Sequence, residues 1–224
     1  MVLDLFVKIF QESLPSLLSG LRITVIMAIL SLFFASIVGL IMCIFSISRF
    51  RVLKAISTTY IYVIRGIPLM ILGLFLYFGV GAALQIRFDP MVAAIIALTI
   101  NAGAYMAEIF RAGIQAIDFG QMEAARSLGL NYFKAMKRVI LPQAVKIMIP
   151  SIMNQFITTI KDTSILSVVS VRELTLSGQI IIANNYRPFE VYAIVAIMYF
   201  IFITILTIIS RKVERKLSYD HRSE

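Results

Sequence analysis

Cysteine occurs once in the 224 residues, at Cys43 within an apolar run, and histidine once, at His221 in the carboxyl-terminal tail. One cysteine excludes an intrachain disulfide and a cysteine metal cluster, leaving a buried, inert thiol as the expectation. A single tail histidine, expected to be solvated, supplies no acid–base dyad. The chain also lacks a G-x-x-x-x-G-K-[ST] phosphate loop and a G-x-S-x-G nucleophile elbow. No metal site, no bound cofactor and no enzymatic activity are therefore expected of this chain, and if ATP powers it, another subunit must bind the nucleotide. Charge is scarce too. Only 15% of residues are charged, against about a quarter in soluble domains, while 60% are hydrophobic. With a mean hydropathy of +0.92, this is the composition of an integral membrane protein with several spans of about 20 residues each. The net charge of +9 raises the question of nucleic acid. The basic residues, however, cluster at the ends of apolar runs and not on a polar domain with interleaved aromatics, so membrane topology accounts for them and no nucleic acid is expected. No internal repeat, low-complexity tract or flexible linker divides the chain, which predicts one transmembrane domain over residues 1–224.

The amino terminus mixes apolar residues with Asp4, Lys8, Gln11 and Glu12, a spacing for an amphipathic surface helix that Pro15 is expected to interrupt. It does not resemble a cleaved signal, because its charge is mixed and the apolar run behind it is too long. Five spans are predicted, at about residues 23–47, 56–84, 91–112, 145–171 and 191–209. The first carries no charge and ends at Arg49, Arg51 and Lys54; the last ends at Arg211, Lys212, Arg215 and Lys216. Both clusters mark the cytoplasmic side, so the amino terminus is expected outside and the carboxyl terminus inside. Within the second span, Arg65-Gly66-Ile67-Pro68 breaks the helix, since proline removes a backbone donor and the freed carbonyls need protein or water partners. A short external link, 85–90, leads into the third span. Residues 172–188 read as an external loop carrying a short helix. Small residues at Gly73, Gly79, Gly81, Ala102, Gly103 and Ala107 suit close helix approach, which in lipid is driven by packing.

Between the third and fourth spans lies a polar, helix-forming island at residues 120–142, which cannot sit in lipid and bears Arg126, Lys134, Lys137 and Arg138. Two helical pieces are predicted there, 121–128 and 131–140. Gly129 is placed to end the first as a left-handed cap and Pro142 to stop the second. The result is a cytoplasmic helical hairpin.

The spacing in this island resembles the EAA signature of permease subunits of ABC importers. The matching residues are Glu123, Ala124, Ala125, Gly129, Val139, Leu141 and Pro142; Val139 stands where isoleucine is usual, one methylene smaller at an apolar position. Three further phrases look like the polar amino acid subfamily of the histidine, glutamine and arginine type: Arg65-Gly66-Ile67-Pro68-Leu69, residues 104–111, and Lys161-Asp162-Thr163-Ser164. The resemblance covers most of residues 65–173. It implies an all-α membrane protein with the five-helix type I ABC importer permease core. It further implies a pair of permeases, identical or homologous, with two ATPase subunits that bind ATP and Mg, an extracytoplasmic substrate-binding protein, and a place in the bacterial cytoplasmic (inner) membrane among its lipids. The seven signature residues are then the ATPase-coupling set. Glu123 is expected to pair with a basic group of the ATPase, and Ala124 and Ala125 to allow close approach. The bland alternative for Glu123 is favourable placement near a helix amino end.

Ionisable groups inside a membrane are costly, which makes Glu108, Lys161, Asp162 and Arg65 candidates for substrate contact. Asn101, Tyr105, Thr163 and Ser164 add neutral hydrogen-bonding groups for an amino acid's charged ends. For all of these, interhelical hydrogen bonding or a structural ion pair at Lys161 is the competing reading. Two acidic candidates lean the expectation towards a basic amino acid. An ion-coupled carrier or channel for small cationic solutes is the main alternative function, separated by whether uptake needs the ATPase. An assembly subunit without a substrate path is a third, and the coupling hairpin argues against it.

Overall fold

A computed structural model describes residues 2–219, which are helical throughout apart from short connections; the expectation for His221 lies outside the described residues. Eight helices follow one another: α1 (Val2–Ser46), α2 (Arg51–Gly66), α3 (Leu69–Leu84, with a π turn at Phe75–Val80), α4 (Pro90–Gln115), α5 (Phe119–Ser127), α6 (Tyr132–Val169), α7 (Leu174–Asn185) and α8 (Pro188–Tyr219). Three of them, α1, α4 and α8, are each long and apolar enough to cross a membrane. The bent pairs α2 with α3 and α6 with α7 raise the number of crossings to as many as five by length and composition.

Pro15 does not interrupt α1, contrary to expectation: the helix runs unbroken through it for 45 residues. Proline in a helix interior forfeits one backbone bond and crowds the preceding turn. Packing on both sides of Pro15 opposes that loss here. Ile9 and Leu17 are buried against Leu174, Val191, Ile194 and Val195 of α7 and α8, so the helix is held before and after the proline.

The second predicted span, 56–84, is not one continuous rod. Its two halves meet at 103°. Ile67 is extended, with φ −99° and ψ 128°, because the pyrrolidine ring of Pro68 disfavours helical backbone at the residue before it. Two side chains fasten α2 to its neighbours. Ser57 donates to the Met42 carbonyl at 2.7 Å and Tyr60 to the Ile100 carbonyl at 2.7 Å.

Pro142 does not stop the second arm of the hairpin either. That arm continues directly into the fourth predicted span, so α6 serves both. A π turn at Met136–Ile140 precedes the proline, which falls in the first turn of the next α segment. The Gln143 side-chain amide donates to the Val139 carbonyl at 2.9 Å, supplying a partner where the backbone pattern changes register. The last helix also overruns its predicted span of 191–209 at both ends.

The centre of the bundle is the seam between α1 and α4. A Cβ at Gly39 would stand 2.6 Å from the Met106 Cβ, and one at Gly103 would meet Val38 Cγ1 at 3.0 Å. Ala94, Ala97, Ala102 and Ala107 line the α4 side, each no more than 2% exposed. Close backbone approach of this kind is what packing-driven association in lipid needs. Of the small residues predicted for it, Gly73 meets Leu166 and Gly103 meets Tyr60 and Val38, whereas Gly79 faces only its own helix at Phe75.

Candidate functional site

Three helices converge on one polar chamber. From α2 comes Arg65, in the last turn before the Ile67-Pro68 break, its guanidinium carbon 5.1 Å from the centre of the Tyr105 ring. A cation over an aromatic face at that range is attracted by the ring quadrupole. α4 contributes Asn101 and Tyr105, and α6 contributes Gln155, Thr158 and Asp162. On α4 and on α6 these positions are three or four residues apart, the spacing that puts side chains on one face. Together with Gly66, Ile67, Pro68 and Leu69 they line a cavity of about 540 Å³. Its apolar wall is the bend itself, so the same proline that breaks the helix also shapes the chamber.

Arg65 and Tyr105 also line a second, larger cleft of about 990 Å³ that runs along α4 from Tyr105 to Gln115. Glu108 lies there. Its carboxylate is held in a fork by Arg111, with Nη2 to Oε2 at 2.6 Å and Nε to Oε1 at 3.1 Å, and Arg111 Nη1 donates to Gln115 at 2.7 Å. Two parallel charge-assisted bonds make this a committed pair. The sequence sets Glu108 beside Asp162 as an acidic candidate for substrate contact; the structure gives it Arg111 as a partner one helical turn away.

Of the eight substrate candidates, Arg65, Asn101, Tyr105 and Asp162 share the chamber, and Glu108 lines the adjoining cleft. The other three do not line the chamber. Thr163 is fully buried and donates to the Ile160 carbonyl at 2.7 Å; Ser164 donates to the Lys161 carbonyl at 2.6 Å. Lys161 is exposed and makes no ion pair among the described residues. Neighbours on a helix point about 100° apart, which separates Lys161 from the face that Asp162 shares with Thr158 and Gln155. Gln155 and Thr158 were missed by sequence reasoning. Their spacing ahead of Asp162 was the signal.

At the hairpin, α5 opens on Asp118, whose side chain accepts from the Gly120 backbone N–H at 2.8 Å. It closes as expected on Gly129, at φ +85°. The Leu130 N–H donates to the Ala125 carbonyl at 3.2 Å and the Gly129 N–H to the Arg126 carbonyl at 3.0 Å, the pair of bonds that defines a left-handed helix cap. Glu123 and Ala124 are exposed, but Ala125 is only 4% exposed and packs within the hairpin. Close approach by an outside partner is therefore open to Ala124 and not to Ala125. Val139 is half-buried, while Leu141 and Pro142 are exposed. Sequence reasoning overlooked the hairpin's apolar surface: Phe119, Leu128 and Phe133 are 73%, 85% and 82% exposed.

Comparison with known proteins agrees with this architecture. The family described as "Binding-protein-dependent transport system inner membrane component" matches residues 35–219. The chain is 37% identical over 206 residues to the glutamine transport system permease protein of Escherichia coli (strain K12), covering 92% of this chain and 94% of that one. It is 39% identical over 204 residues to the arginine transport system permease protein of Bacillus subtilis (strain 168), covering 91% and 93%. Among solved structures, one titled as an amino acid ABC transporter with histidines superposes with a TM-score of 0.89 at 38% identity, over 92% of this chain and 96% of that one.

Proposed function

Because the chain belongs to the family of binding-protein-dependent transport system inner membrane components, a group of membrane subunits that are not themselves catalytic, we propose that it is the permease of an ATP-driven importer of polar amino acids. The observation that carries the substrate class is the chamber at Arg65, Tyr105, Asn101 and Asp162. A guanidinium suits an α-carboxylate, a carboxylate suits an ammonium or a cationic side chain, and the amides and hydroxyls suit the remainder. Relatives with the same coverage are named for glutamine and for arginine; Asp162 favours the basic class.

In this reading two permeases, identical or homologous, face each other across the open side of the chamber in a bacterial cytoplasmic membrane, and an extracytoplasmic protein delivers the amino acid. ATP and Mg reside on two ATPase subunits. Those subunits dock on the hairpin through Glu123, Ala124 and the exposed apolar residues around Gly129. Motion passes directly into the chamber because α5 joins α4 through a short connection and the second arm is continuous with α6. Each bent pair is one crossing, giving five, with the amino terminus outside and the carboxyl terminus inside. Reporter fusions at the two ends are expected to report opposite compartments; the same compartment at both would break the five-crossing reading.

The deciding experiment for function is uptake of labelled arginine and glutamine into liposomes holding the permease and its ATPase. Accumulation is expected only with ATP and the binding protein. Uptake driven by an ion gradient without the ATPase would favour the carrier reading, in which Asp162 binds a cation.

A further inference from the structure

Several buried polar side chains in this bundle spend their hydrogen bonds on backbone. Ser31 donates to the Ile95 carbonyl at 3.4 Å, Ser57 to the Met42 carbonyl at 2.7 Å and Thr159 to the Gln155 carbonyl at 2.9 Å. Asn101 does not. It is 8% exposed and lines the chamber from the middle of α4, yet its amide makes no hydrogen bond among the described residues. The Ser177 hydroxyl is the one fully sealed side-chain polar atom without a partner among those residues, so the Asn101 amide, unbonded and not sealed, opens into the chamber. Asn101 therefore does not serve as interhelical glue. Gln155, the chamber's other buried amide, already donates from Nε2 to the Thr159 hydroxyl at 3.4 Å.

An amide carries two N–H donors and one carbonyl acceptor. An occupant that displaces water from it and returns none of these bonds leaves it desolvated and unpaired, which costs free energy. A pocket that hydrogen-bonds its ligand accordingly rejects an analogue lacking the bond far more strongly than one that differs by a methylene. Position gives the amide its role. Arg65 lies over the Tyr105 ring, and Asn101 stands one turn back along α4, about 6 Å away at 1.5 Å per residue. An amino acid whose α-carboxylate rests on Arg65 therefore lays its side chain along the wall that Asn101 occupies. Arginine and glutamine both end in groups that donate N–H, whereas methionine, of similar length, ends in an apolar thioether.

We propose that Asn101 is a specificity-determining residue of the chamber: its free amide reads the end of the bound side chain and excludes amino acids with an apolar end, such as methionine. The proposal rests on the chamber being the amino acid's site. Its test is equilibrium binding of labelled L-arginine, L-glutamine and L-methionine to the assembled permease and ATPase in nanodiscs. The unaltered complex is expected to bind arginine, glutamine or both more tightly than methionine by about a hundredfold or more. Asn101→Leu is expected to tighten methionine binding about tenfold, the scale of one buried polar group no longer left unpaired, while weakening whichever polar amino acid binds. A gain of that kind separates a residue that reads the side chain from a structural one, whose loss weakens every ligand together. Parallel weakening of all three, or methionine binding left where it was, overturns the proposal with the chamber reading intact. So does an unaltered complex that holds methionine as tightly as the polar amino acids. A complex that retains none of the three ends the chamber reading and the proposal together. Should Asn101→Leu fail to assemble, Asn101→Ala removes the same amide without added bulk and is judged by the same gain in methionine binding.

Discussion

The hairpin arm and the chamber share one helix, α6, with Tyr132 and Asp162 roughly 45 Å apart along it at 1.5 Å per residue, yet they are built on opposite principles. At the hairpin, conformation is set by short-range signals: Asp118 and Asn131 cap the two arms with bonds of 2.8 and 2.9 Å to nearby backbone N–H groups, and Gly129 turns the chain between them. Apolar side chains are left outside. In the chamber the polar groups come from three helices distant in sequence, and apolar packing surrounds them. A local motif can therefore present a docking surface ahead of any partner, whereas the chamber exists only once α2, α4 and α6 have packed.

The largest expected effect falls on the chamber. Asp162→Asn keeps the shape and removes the charge; a hydrogen bond to a charged group contributes about 1.5–3 kcal/mol, so uptake of arginine should fall by one to two powers of ten. Glutamine uptake should change far less. Liposome uptake with both substrates separates the outcomes, and an equal loss for the two would make Asp162 a structural residue.

Next comes the hairpin's apolar surface. Phe133 is 82% exposed, so Phe133→Ala should leave folding within about 0.5 kcal/mol of the original, as surface changes do. Contact residues at the centre of an interface, by contrast, carry about 2 kcal/mol or more. Co-purification of the ATPase with the altered permease should drop while the melting temperature holds. A fall in both would mean that the phenyl ring packs within the permease, and the contrast between the two regions would lose its basis.

How far each region was legible in the sequence follows from the same contrast. Caps, the Gly129 turn and the break at Pro68 depend on residues within a few positions of one another, and these were predictable. Pro15 and Pro142 were misjudged because each is overridden by something the local sequence does not contain: burial of Ile9 and Leu17 against α7 and α8 for the first, a π turn and the Gln143 amide for the second. In the chamber, residue types were legible and groupings were not. Arg65, Asn101, Tyr105 and Asp162 stand out in the sequence as polar groups in apolar runs. Thr163 and Ser164 bond to carbonyls three residues earlier on their own helix, a choice between local and interhelical partners that residue type does not decide, and the burial of Glu173 depends on tertiary packing.

A smaller effect is expected at Glu108. Glu108 and Arg111 form a two-bond pair whose side chains are 29% and 35% exposed; glutamine keeps an acceptor for Arg111, so the change amounts to about 1 kcal/mol, the difference between a charged and a neutral hydrogen bond. Glu108→Gln should lower transport of arginine and glutamine alike, by severalfold at most, through release of Arg111 into the cleft. A loss confined to arginine would make Glu108 a substrate contact and extend the chamber toward the hairpin.

The smallest effect on stability, and the sharpest test of the hairpin, belongs to Gly129. Its φ of +85° is in the left-handed region, but an added Cβ would meet nothing within 4 Å. The cost of a side chain there is thus backbone strain alone, about 1 kcal/mol for most residues and less for asparagine and aspartate, which visit this region more readily. Gly129→Asn and Gly129→Asp should therefore melt close to the unaltered protein and close to each other. They differ in charge, and the position is exposed beside Leu128. If the ATPase docks across this turn, Gly129→Asp should lower the uptake obtained per ATP hydrolysed well below that of Gly129→Asn, because a desolvated carboxylate needs a partner that an amide does not. Purified complexes of equal subunit content, assayed for ATP hydrolysis and uptake together, give the ratio directly. Matching ratios in the two variants would place the turn outside the docked surface and leave Gly129 with a purely conformational role.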